Sequence, residues 1–261
     1  MDNPTPPSDK HLPPERPFSR PEKLGDVDGV FGWIMALLRK PASVADNLIN
    51  EEGPSGSKVF LIVFVLCHIA YGLIMGLFSG DSQMYLVPLK LTLGTAVCAL
   101  LCYPSLFIFA CLSGVDVSPG KVFSILVGGL AMCSLLLVGF LPISFIFTFS
   151  VKSAIFMGFV HLLVWAVSVA FACGYIRKGL LLGVPQGNNF LYIWNIVLVL
   201  TLLQMSTTLR PLLGPQPQDK APITSEKKFF LQHWAECLER KTYQENYNQV
   251  PPSNTPEAKS E

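Results

Sequence analysis

Between Val59 and Ser206 the chain is apolar almost throughout. Seven charged side chains interrupt it, Asp81, Lys90, Asp116, Lys121, Lys152, Arg177 and Lys178, and nearly all fall between long apolar runs. A hydrocarbon core of about 30 Å is crossed by a helix of about 20 apolar residues. Several runs reach that length, so the pattern predicts an all-α fold, a polytopic transmembrane helical bundle of about five spans over 59–206. The spans read as Val59–Phe78, Leu91–Leu112, Val122–Phe149, Ala154–Tyr175 and Phe190–Ser206. The third is long for one crossing, and Pro142 inside it predicts a kink.

The flanks follow other patterns. Residues 1–28 are Pro-rich and of mixed charge, the composition of a disordered tail. They contain no basic segment followed by a short apolar one, so the first span is expected to serve as an uncleaved signal-anchor. Residues 29–58 open with Phe31, Trp33, Ile34, Leu37 and Leu38 at helical spacing, then Arg39, Lys40 and Pro41. The apolar part is about ten residues, too short to span. It suits either an amphipathic helix lying at the headgroup level or a short helix packed on the mouth of the bundle. Residues 207–242 begin with a Pro-rich break and continue as an amphipathic helix over 224–241, with Phe230, Trp234, Cys237 and Leu238 on one face. Docking on its own chain and meeting a partner are the two readings of that face. Residues 243–261 are polar and read as a second disordered tail.

Composition sharpens the picture. Only 14% of residues are charged and 51% are hydrophobic, against about 25% charged in a soluble domain. Net charge is +1, which gives no argument for nucleic acid. Basic residues near membrane ends number six on the side of the N-terminus (Arg39, Lys40, Lys58, Lys121, Arg177, Lys178) against four on the other. That bias favours a cytoplasmic N-terminus. Six of the seven cysteines lie in apolar runs and no Cys-x-x-Cys occurs, so neither a disulfide framework nor a metal site is expected.

Candidate chemistry is sparse. No catalytic or phosphate-binding signature is present, and neither catalytic residues nor a cofactor is expected. His68 and His161 are the imidazoles inside spans, and Asn195 is a polar amide in the fifth. Intramembrane ionisable groups are functional candidates by default, yet a neutral histidine also serves as an interhelical hydrogen-bond partner. A Ser–His dyad would need Ser134, Ser144 or Ser168 beside an imidazole, which sequence does not place. No Asp or Glu lies within a span, which counts against an ion-coupled carrier. Small residues at four-residue spacing, Gly72/Gly76, Ala154/Gly158 and Ala166/Ala170/Gly174, mark faces where helices approach closely.

The layout from Gly29 to Met205 resembles the Yip1 family, its bacterial branch in particular. The likeness rests on the aromatic, apolar, basic-Pro segment Phe31–Leu48 with its Leu38-Arg39-Lys40-Pro41 step, on Ser118-Pro119-Gly120 before the third span, and on Leu141-Pro142 late within it. The Asp-Leu-Tyr-Gly-Pro type of segment of eukaryotic members has no clear counterpart, and their trafficking role is not carried over. The resemblance implies a non-enzymatic membrane scaffold or adaptor that works through a protein partner, a homo-oligomer or the lipid bilayer. Its contact elements would be Phe31, Trp33, Ile34 and Leu37 at one end and Phe230, Trp234 and Leu238 at the other. The competing expectation is a permease subunit or small-solute channel, its polar route lined by His68, His161 and Asn195.

Overall fold

The computed structural model describes residues 21–25, 27–50, 55–79, 83–151, 154–182, 184 and 190–208. Among these there are eight helices and no strand: α1 Gly29–Arg39, α2 Pro41–Asn50, α3 Ser55–Ser79, α4 Gln83–Leu112, α5 Pro119–Gly139, α6 Leu141–Ser150, α7 Ala154–Leu180 and α8 Phe190–Thr208. Four stretches are long and apolar enough to cross a membrane by length and composition: Gly56–Leu77, Met84–Leu112, Pro119–Gly139 and Phe156–Leu180. The apolar part of α8, Phe190–Ser206, is shorter. The protein is therefore a membrane-embedded helical bundle.

Helix α5 is its axis. Val122, Ile125, Leu126, Val127, Ala131 and Leu137 are all buried, with α3 packed on one flank and α7 on the other. Helix α4 covers α3, and α8 packs mainly on α4. The outer surface is as apolar as the core, with Leu61, Ile62, Leu66, Leu100, Leu101, Ile108, Phe171, Ile196 and Leu200 exposed. A soluble monomer rarely shows apolar patches beyond a few hundred Å²; these side chains face hydrocarbon. Polar contacts mark helix seams instead. Ser57 donates to Ser124 Oγ across α3 and α5 (2.8 Å), and the Tyr103 hydroxyl donates to the Pro119 carbonyl at the start of α5 (2.9 Å).

The third expected span is two helices. Helix α5 ends at Gly139, Phe140 takes φ −86 and ψ −4, and α6 restarts at Leu141 with Pro142 in its first turn. A proline has no N–H to give to the preceding turn and clashes with it, but fits the start of a helix. The chain stays hydrogen-bonded through the bend, from Phe140 N–H to the Leu136 carbonyl and from Ser144 N–H to the Phe140 carbonyl. The second span also differs from expectation. Its helix starts at Gln83, so Lys90 stands within α4, its Nζ buried without a hydrogen-bond partner.

Close helix contact is achieved at glycines. A Cβ on Gly72 of α3 would lie 2.5 Å from the Pro88 Cα of α4, backbone against backbone. On α5, Gly128 and Gly129 make the seats for Tyr175 and Ile176 of α7, with a Cβ at either meeting those side chains at 2.7 and 2.6 Å.

Candidate functional site

Two places in the fold carry features beyond packing. The first is the short helix pair α1–α2. The residue before a proline is pushed out of the helical region, so α1 ends at Arg39. Lys40 adopts φ −130 and ψ 58, and its carbonyl accepts the Val44 N–H of α2. The pair is clamped on the bundle: Leu37, Val44 and Ala45 are fully buried, and Leu48 nearly so. Trp33 stands edge-on to Phe60 of α3, ring centroids 5.7 Å apart, and lies over Gly56. Ala45 sits against Gly179 of α7. Of the four contact residues expected here, Leu37 is part of the core and Trp33 and Ile34 pack against it; Phe31, 73% exposed, points away. Val30 and Leu38 are exposed as well. The packing of a short helix on the bundle mouth thus holds for one face of α1, and the other remains open.

Lys40 also reaches Glu22, Nζ to Oε2 at 2.7 Å, with both side chains largely exposed. The hydrogen bond and charge of Lys40 hold the Glu22 carboxyl below its ordinary range.

The second place is a polar cluster inside the bundle. Tyr71 of α3 and His161 of α7 are hydrogen-bonded, Oη to Nδ1 at 2.7 Å, their rings nearly perpendicular. Both are buried. Ser144, fully buried on α6, approaches the Tyr71 hydroxyl without a well-formed hydrogen bond. The bend at Phe140 is what turns α6 so that Ser144 reaches α3. If the phenol donates to Nδ1, His161 carries its proton on Nε2 as a donor without acceptor. If Nδ1–H donates to the phenol oxygen, Nε2 is a bare acceptor. Either way His161 Nε2 and Ser144 Oγ are buried without partners. One turn from Tyr71, His68 lies against Phe64, ring centroids 4.5 Å apart and planes tilted by 52°; its Nδ1 has no well-formed hydrogen bond, although the Phe64 carbonyl lies near. Of the three serines, Ser144 is the one that approaches Tyr71, the partner of His161. Ser134 and Ser168 instead donate to backbone carbonyls of their own helices.

Tyr71 is the residue that sequence reasoning missed. A tyrosine in an apolar run reads as packing, and the available signal was its three-residue spacing from His68, which places both on one face of α3. Asn195 stands on α8, which packs on α4 rather than on α3, and its Oδ1 is buried without a partner. Its neighbour Trp194 is fully buried and donates Nε1–H to the Cys102 carbonyl at 3.1 Å. Phe230, Trp234 and Leu238 lie outside the described residues. Among the described residues no group of three His, Cys, Asp or Glu side chains could hold a metal ion. Compared with known proteins, the chain matches no family model, no curated protein and no solved structure.

Proposed function

We propose that this chain is a non-enzymatic integral membrane scaffold or adaptor of Yip1-like type, with α8 as a fifth span and the N-terminus cytoplasmic. The observation that carries this reading is the exposed edge of α1. Phe31 stands on α1, whose other face is held on the bundle through Leu37 and Trp33, while Val44 and Ala45 of the adjoining α2 are fully buried. A large aromatic held out on a rigid support binds at little further loss of conformational freedom, and Arg39 and Lys40 beside it suit an acidic protein surface or anionic headgroups. The tail helix expected at 224–241 is the second contact element.

Photocrosslinking from position 31 in native membranes tests this. One defined adduct is expected, and Phe31→Ala with Leu38→Ala should abolish partner recovery while leaving the thermal stability of the bundle intact. Unchanged recovery from the double variant would overturn the adaptor reading. For topology, reporters fused to the two ends should fall on opposite sides of the membrane.

The partnerless atoms of His68, Ser144 and His161 favour a second reading, a polar route for a small solute. It predicts that His161→Ala alters solute flux in proteoliposomes, and equal flux for variant and native chain would remove it.

A further inference from the structure

We infer that one flank of α1 is a peptide-binding groove, filled at rest by the chain's own Glu22, Leu24 and Val27. Its ligand is a partner's segment that carries a carboxylate two residues ahead of an apolar side chain. As a partner's seat the groove rests on the adaptor reading. The chain ahead of α1, residues 21–25 and 27–28, has no regular secondary structure. It reverses at Gly29, whose φ of 70° suits a residue without a Cβ. Val27 lies against Gly32 in the first turn of α1, where an added Cβ would meet its Cγ1 at 3.1 Å. Leu24 packs on the buried cluster that holds Leu37, Val44 and Ala45. Glu22 reaches beyond the last turn, its Oε2 2.7 Å from Lys40 Nζ.

These contacts run antiparallel to the helix. From Gly32 to Lys40 the axis advances roughly 12 Å, and the chain from Glu22 to Val27 spans at most about 17 Å, so a backbone short of full extension covers the flank from end to end. Each contact is weak: an exposed ion pair contributes little, and Leu24 is only half-buried. The segment is therefore held mainly by its tether, which gives it a high local concentration, and a competitor that makes further contacts displaces it. Phe31, Leu38 and Arg39 stay exposed on the same helix to supply them. The seat suits protein better than lipid. A headgroup phosphate pairs with Lys40 but brings nothing to the places of Leu24 and Val27.

The test uses the full chain in phosphatidylcholine nanodiscs and, as probe, a synthetic peptide copying residues 21–28 with a photoreactive group at its N-terminus. Glu22→Gln with Leu24→Ser frees the flank in cis. Photolabelling within 29–50 should then rise about tenfold over the native chain, the combined effect of one exposed ion pair and one partly buried leucine. Adding Lys40→Gln, at an exposed position, should lower labelling of the freed chain about threefold. Equal labelling of native and freed chains would overturn the proposal, because the flank would then not be occupied in cis. Labelling indifferent to Lys40→Gln would overturn it as well, since the carboxylate would then not be read. So would labelling lost when phosphatidylglycerol replaces part of the bilayer, which would give the flank to anionic headgroups. The adaptor reading keeps its own readout, the adduct from position 31 in native membranes. A freed chain that takes the peptide but forms no adduct retains the groove and removes the adaptor.

Discussion

At the scale of single residues, Gly72 and the Tyr71–His161 pair hold the bundle's seams. An added methyl at Gly72 meets the backbone of Pro88, which cannot swing aside as a side chain can. Gly72→Ala should therefore destabilise the protein by about 1–3 kcal/mol, the usual range for overpacking, read as a lower unfolding temperature in detergent. Gly120→Ala, with nothing within 4 Å, is the matched control and should be neutral. Tyr71→Phe removes the partner of His161 Nδ1. Hydrogen bonds between membrane helices are worth on the order of 0.6 kcal/mol, so a double-mutant cycle with His161→Ala should give a coupling of that size. A coupling near zero would mean that the two rings are held by packing alone. The sequence showed both histidines but not this pairing. Contact between Tyr71 and His161 joins positions 90 residues apart, and no local pattern encodes it.

At the scale of elements, the α1–α2 pair depends on small residues beneath it, Gly56 under Trp33 and Gly179 under Ala45. Val44→Asp would place a carboxylate at a fully buried position and should loosen the pair by about 3 kcal/mol, the scale of an unpaired buried charge. Limited proteolysis within 29–50 should rise sharply in that variant and stay unchanged in Phe31→Ala. The Glu22–Lys40 contact adds a pH-dependent tether. The carboxyl's folded pKa lies below its ordinary value of 4.5, so the stabilisation is present above that value and is lost as pH falls through the folded one. Both groups are largely exposed, the contribution is small and salt-sensitive, and Glu22→Gln should remove that pH dependence from proteolysis near residues 21–25. The amphipathic spacing from Phe31 to Leu38 was legible and so was its proline stop. Which face met the bundle was not, because period and moment define an apolar stripe without saying whether lipid, partner or bundle covers it.

At the scale of the whole molecule, the sequence by itself determined the solvent. Long uncharged runs exclude water-facing surfaces, because an ionised side chain within hydrocarbon is costly and a backbone there must satisfy its hydrogen bonds within its own helix. Class, order of the long helices and the polar ends all follow from that one constraint, which acts locally and so is written locally. Only the tertiary structure decided the rest. In lipid both the packed and the free faces of a helix are apolar, so hydropathy did not tell the buried Ile125 from the exposed Leu101. It was shape that sorted them, through the hollows at Gly72, Gly128 and Gly129 and the bend at Phe140, and shape fits only against a neighbour distant in the chain.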